Sequence, residues 1–135
     1  MMYLLDTDIM VNLMGRCPST ALIAKLASVP PEQQCTSSVT LEELLVGANR
    51  FGRRSAALLS QIDARLIPNL PVLPFDAAAA RRYGEISASL ARKGSPVSET
   101  ALRIVAIALV RNLTLISGNP QAFKRVPGLS VENWL

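Results

Sequence analysis

The chain has 135 residues, half of them hydrophobic and 18% charged, which suits one folded domain over residues 1–135 and excludes a disordered chain. It contains no histidine, which excludes a Ser-His-Asp triad and a histidine-ligated zinc site; its two cysteines, Cys17 and Cys35, fit neither a disulfide framework nor a thiolate metal site. Any metal is then expected on oxygen ligands, as Mg²⁺ or Mn²⁺ prefers, and the net charge of +4 suits an anionic partner.

The opening MMYLLDTD lacks the basic and apolar regions of a signal peptide. The longest apolar run, Ile104 to Val110, is far shorter than the roughly 18–20 residues that cross a bilayer. A cytoplasmic protein with no membrane contact is the expectation.

Along the chain, short apolar runs alternate with helical patterns. MYLLD reads as a first strand and CTSSV as a second, with a helix near 19–28 between them. Helices follow near 40–50 and 53–66, then LPVLPF as a third strand. A helix near 76–93, another near 98–112, the strand LTLIS and a possible fifth strand in LSVENW complete the pattern. Such alternation implies crossover connections and a parallel sheet of four or five strands between helical layers. Ligands of covered parallel sheets bind beyond the carboxyl ends of the strands.

That rule selects Asp6 and Asp8 after strand one, Glu43 in the helix after strand two, Asp76 after strand three, Ala101 at the start of the helix before strand four, and Ser117 to Asn119 after strand four. Two acids are more than one helix cap requires, so Asp6 is read as a functional ligand and Asp8 as a cap or supporting group. Thr40 and Glu43 have capping-box spacing, which competes with a functional role for Glu43. Asp76 reads as a helix N-cap, and Phe75 and Tyr83 as core. Asn119 is open between a turn residue beside Gly118 and Pro120 and a group that positions a metal-bound water. Basic residues cluster at Arg50, Arg53 and Arg54, at Arg81 and Arg82, at Arg92 and Lys93, and at Lys124 and Arg125; any one pair reads best as a solvated helix end or face, while four clusters in a small chain leave phosphate contact open.

The stretches YLLDTD at 3–8, SSVTLEELLVGA at 37–48, VLPFDAAAARRYGEI at 72–86, GSPVSETALRIVAIALVRNLTLISGN at 94–119 and FKRVPGLSVENW at 123–134 together resemble the PIN-domain nuclease family, and within it the VapC toxins. The resemblance implies a three-layer α/β/α domain whose acids bind Mg²⁺ or Mn²⁺ and hydrolyse RNA phosphodiesters. It implies catalytic and metal-binding roles for Asp6 and Glu43, the latter in a Glu-Leu-x-x-Gly pattern with Leu44 and Gly47, and a catalytic role for Asn119. The family's third acid falls in a Gly-x-Pro-x-Gly-x-x-Asp-x-x-Ile pattern. Gly94, Pro96 and Ile104 keep it, Ser98 replaces a glycine, and Ala101 stands in the vacated acid position. A catalytically impaired enzyme is the expectation, through deliberate inactivation or natural degeneration; Glu99 lies about 200° around the helix from Ala101 and should point elsewhere. The resemblance further implies a cognate VapB-like antitoxin and a homodimer.

Two rival readings stand beside it. YLLDTD also resembles the Asp-x-Asp motif of haloacid-dehalogenase-type phosphatases, with Asp6 as nucleophile and Asp8 as acid. A PIN module that binds RNA or a partner without cutting is the other.

Overall fold

The structure, a computed structural model, describes residues 2–50, 52–66, 68–94 and 97–135. Pro96, one member of the third-acid pattern, lies outside the described residues.

Strand β1 (Tyr3–Leu5) runs at the centre of a parallel sheet. Strands β2 (Gln34–Ser37) and β3 (Val72–Leu73) extend the sheet on one side, and β4 (Thr114–Ile116) and β5 (Val131–Glu132) on the other, giving the order β3-β2-β1-β4-β5. Register is set by Leu4 opposite both Cys35 and Leu115. All five strands expected from the sequence are present, each shorter than its apolar run.

Alternate strand residues face opposite sides of a sheet, and the core divides accordingly. Leu4 and Leu115 join the cluster beneath helices α5 (Ala77–Lys93) and α6 (Glu99–Val110). Leu5 and Ile116 join a second cluster beneath α1 (Thr7–Met14), α2 (Thr20–Ser28), α3 (Ser38–Asn49) and α4 (Ser55–Gln61). Helices therefore cover both faces, giving the expected three layers. Phe75 and Tyr83 meet edge-on against the first cluster, as core residues, with ring centroids 6.1 Å apart. Both cysteines are free, Cys35 buried and Cys17 exposed.

Two details differ from the sequence reading. Helix α1 has no counterpart in it; this helix starts one residue after β1 closes its ladder, so no loop marks its beginning. Thr40 does not open a capping box. Helix α3 starts two residues earlier, where the Ser37 hydroxyl accepts the Thr40 N–H at 3.0 Å, so Glu43 sits in the second turn. Asp76 does cap α5, accepting from Ala79 N at 2.9 Å. Gly94 ends that helix in the left-handed region, φ 68°, which only glycine enters without strain.

Among the described residues, no helix is long and apolar enough to cross a membrane.

Candidate active site

Strand order reverses beside β1: the chain first moves outward through β2 and β3, then returns to place β4 on the other flank. The crevice beyond the carboxyl ends of β1 and β4 is where such a sheet binds ligands. Asp6 follows β1 and Ser117 follows β4, and the Asp6 N–H is tied to the Ile116 carbonyl at 2.9 Å. The two strand ends thus open into a common cleft of about 610 Å³.

Asp6, Asp8, Glu43, Ala101 and Asn119 all line this cleft, so residues up to 113 positions apart in the chain converge. Asp6 caps α1 and accepts from Thr7 N at 2.8 Å. The acid expected to be the functional ligand is therefore also the helix cap, and Asp8 is not the cap. Asp8 instead reaches across to β4's loop, where its Oδ2 accepts the Gly118 N–H at 2.8 Å.

Thr7, which the sequence reading does not single out, joins the two principal acids. Its backbone N–H serves Asp6, and its hydroxyl donates to Glu43 Oε1 at 2.6 Å while lying 3.1 Å from Thr40 Oγ1. An uncharged residue between two aspartates gives no chemical signal of its own. Only the packing of α1 against α3 reveals it.

Burial pushes the Asp6 carboxyl up from 3.8 to about 6. The Thr7 N–H opposes that rise, the Asp8 charge adds to it, the Ser117 hydroxyl opposes it, and the Glu43 charge adds to it. The pocket is thus anionic and desolvating, a combination that favours a cation.

The opposite wall is different in character. Helix α6 is capped by Ser98, whose hydroxyl accepts from Ala101 N at 3.1 Å. Its cleft-facing residues include Ala101 and Ile104, and Val97, Ala122 and Phe123 extend the same apolar wall. Glu99 does not line the cleft, as its angular offset predicts. Asn119 N donates to Ser117 Oγ at 3.2 Å and Asn119 O accepts from Ala122 N at 3.2 Å, so Asn119 is a turn residue that also faces the cleft.

Do these residues suit a divalent ion? Among the described residues, no three acidic, cysteine or histidine groups form a ready metal cage. Two carboxylates, Asp6 and Glu43, share the cleft; each has one oxygen on Thr7, and Asp6 is further bonded by the Ser117 hydroxyl. Mg²⁺ takes one or two carboxylates directly and keeps several waters. The donor set fits such an ion, held with fewer anchors than a three-acid site would supply.

An apolar groove of about 620 Å³ adjoins the cleft and shares Thr7, Val11 and Glu43 with it. Its floor includes Met14, Leu44, Leu58 and Ile62, with Arg16 and Arg54 also lining it. Val11 is 54% exposed, a large apolar side chain open to a partner.

The phosphatase pattern is poorly served here, because its second acid, Asp8, is engaged by the Gly118 N–H and no acid occurs between β4 and Glu132. The model of the PIN domain family matches residues 3–129. The tRNA(fMet)-specific endonuclease VapC of Shigella flexneri is 34% identical over 98% of this chain and 97% of its own. Ribonuclease VapC2 of Rickettsia felis is 31% identical over 99% and 98%. The solved complex of DNA-bound VapBC from Salmonella typhimurium superposes with a TM-score of 0.91 at 32% identity, covering 100% of this chain and 99% of that one. VapBC2 from Rickettsia felis, bound to a DNA fragment from its promoter, gives 0.89 at 28% identity over the whole of both chains. The chain belongs to the PIN-domain family, in its VapC branch.

Proposed function

We propose that this protein is the ribonuclease toxin of a toxin–antitoxin pair, dependent on Mg²⁺ or Mn²⁺, with its cutting weakened by Ala101. The observation that carries the reading is the convergence of Asp6 and Glu43, joined through Thr7, at the switch point of the sheet. VapC relatives named ribonucleases, along nearly the full chain length, support RNA as the substrate class.

Asp6 and Glu43 would hold the ion. Bound there, a divalent cation supplies charge stabilisation for the phosphate and a more acidic water. The protein's own residues set the stage for that chemistry. Thr7 fixes one oxygen of each carboxylate and so holds the two acids together at the cleft. Asp8 pins the Gly118 backbone, which holds Ser117 beside Asp6 and Asn119 at the cleft wall. Asn119 orients water or a phosphate oxygen there. Ala101 contributes no oxygen from α6, so the waters on that side lose one anchor.

The test is RNA turnover in Mg²⁺ by this chain beside its Ala101→Asp form. The substituted form should cut faster by on the order of 10–100-fold, the scale of losing a supporting group at a metal site. Absence of RNA cleavage by both forms, in Mg²⁺ and in Mn²⁺, would reject the reading. Ala101 also favours a second reading, an RNA- or partner-binding module that does not cut. RNA binding without turnover by both forms in one Mg²⁺ buffer would establish it.

Relatives solved as VapBC complexes support a VapB-like antitoxin partner and association into oligomers. The apolar groove between α1, α3 and α4 is the seat for the antitoxin segment, and its open end at Glu43 lets a basic side chain reach the acids.

A further inference from the structure

The basic clusters of the sequence are not equivalent once folded. Between Ile86 and Val131 the chain carries six Lys or Arg and one acid, Glu99, a balance of +5. The remaining residues carry eight bases and nine acids, a balance of −1. The whole positive excess therefore sits on the segments that build α6, its approaches and the turn after β4.

The fold draws part of that charge together. Arg125 Nη1 donates to the Lys93 carbonyl at 3.2 Å, joining the turn after β4 to the carboxyl end of α5 across 32 residues. Arg92 and Lys93 are thereby gathered with Lys124 and Arg125, and all four are exposed. None of the four has an ion-pair partner among the described residues. Arg125 spends one of its five N–H donors on Lys93 and keeps the others free. Phe123, in the cleft wall, directly precedes Lys124; Val97 and Ser98, in the same wall, follow within a few residues of Lys93.

We infer that Arg92, Lys93, Lys124 and Arg125 form a phosphate-binding rim that holds single-stranded RNA along the α6 side of the cleft. This rests on the ribonuclease reading and assigns that substrate a track. The physical need is plain: the floor of the cleft is anionic, through Asp6, Asp8 and Glu43, and repels a phosphodiester backbone. A rim of cations without ion-pair partners among the described residues, a few residues along the chain from Val97, Ser98 and Phe123 of the opposite wall, supplies the attraction that the floor denies. Glu99, the one acid nearby in sequence, leaves the rim strongly positive. Arg16 and Arg54 line the apolar groove instead and take no part.

The experiment measures binding of a short labelled single-stranded RNA, without divalent cation so that nothing is cut, across a series of salt concentrations. Each phosphate contact on a single strand contributes about 0.7 to the slope of log K against log salt. The triple variant Arg92→Gln, Lys93→Gln, Lys124→Gln should therefore lose about 2 from the slope. Raising salt from about 50 to 200 mM should then weaken the unmodified protein roughly sixteenfold more than the variant. A charge-matched triple away from both the cleft and the groove, Arg50→Gln, Arg53→Gln, Arg81→Gln, should keep the parent slope. Equal losses in both triples, or none in the first, would overturn the inference. So would a rim triple that weakens only capture by a VapB-like antitoxin. Should the rim triple fail to fold, Lys124→Gln alone must reduce the slope by about 0.7; an unchanged slope there refutes the rim equally. If the unmodified protein binds no RNA at any salt, the ribonuclease reading fails as well, whereas binding with an unaltered slope removes only the rim.

Discussion

Replacing Gly118 with alanine tests the contact that holds the cleft loop. A Cβ at this position would lie 2.6 Å from Leu135 Cδ1 and 2.8 Å from Asp8 Oδ2. Leu135 is 42% exposed and gives way easily. Asp8 does not, because the same oxygen accepts the Gly118 N–H at 2.8 Å, and withdrawing it breaks a charge-assisted bond. Such bonds contribute about 1.5–3 kcal/mol, and the exposure of Asp8 places the expected loss near the lower end, about 1–2 kcal/mol. For a chain of this size that lowers Tm by roughly 3–8 °C. Gly118 is not among the positive-φ glycines, so backbone strain adds nothing; alanine alone would stabilise by about 0.4–1 kcal/mol through the unfolded chain. The assay is urea unfolding of four proteins: the parent, Gly118→Ala, Asp8→Ala and the double variant. If the clash with Asp8 is the cause, Gly118→Ala costs nothing once Asp8 has been replaced by alanine, and the cycle shows a coupling of about 1 kcal/mol or more. An equal cost of Gly118→Ala in both backgrounds would refute the reasoning.

The Asp6 carboxyl, raised to about 6, keeps a proton in the folded state that the unfolded chain has lost above about pH 4. Its contribution to stability is complete below the unfolded value and disappears as pH rises through 6, by at most about 3 kcal/mol. Asp6→Asn should flatten that fall, and identical slopes for the two proteins between pH 4 and 7 would contradict it. Thr7→Val removes the hydroxyl shared by Glu43 and Thr40 and should cost about 1–2 kcal/mol, read as a lower urea midpoint at constant m, with Thr7→Ser restoring it. Ala101→Asp adds a third acid to the cleft; like charges about 5 Å apart cost roughly 3 kcal/mol at an effective dielectric near 20. That variant should melt lower in EDTA and recover in Mg²⁺, and a higher melting point in EDTA would defeat the repulsion account.

The features legible in the sequence are those with a local signal. Apolar runs mark the five strands, and Asp76 before AAAA marks a helix cap that the Ala79 N–H confirms. The acids are legible because carboxylates after apolar strands are unusual, and Asp6, Asp8 and Glu43 do share one cleft. Their division of labour is not legible. Asp6 rather than Asp8 caps α1, because it is the single residue between strand and helix and leaves no room for a separate cap. The capping-box spacing of Thr40 and Glu43 misleads for a related reason: Ser37, Ser38 and Thr40 all carry hydroxyls, and only tertiary position decides which one starts the helix. Thr7 and the apolar groove exist only after α1, α3 and α4 have packed together.

The two walls of the cleft differ in how far stability and chemistry can be separated. Helix α6 is held by the Ser98 cap and by six buried residues, Leu102 and Ile104 through Ala108, none of which is residue 101. Ala101 itself is only half-buried against that core, so the helix does not depend on a charged group at this position. On β1 the same separation is impossible. Asp6 caps α1, donates its N–H to the Ile116 carbonyl and presents the carboxylate, so alanine at that position would forfeit a helix cap of about 1 kcal/mol together with the site. On the proposed reading, the α6 side is therefore where chemistry can be lost with the helix cap and core kept, and the apolar wall at Val97, Ala101 and Ala122 lies on that side.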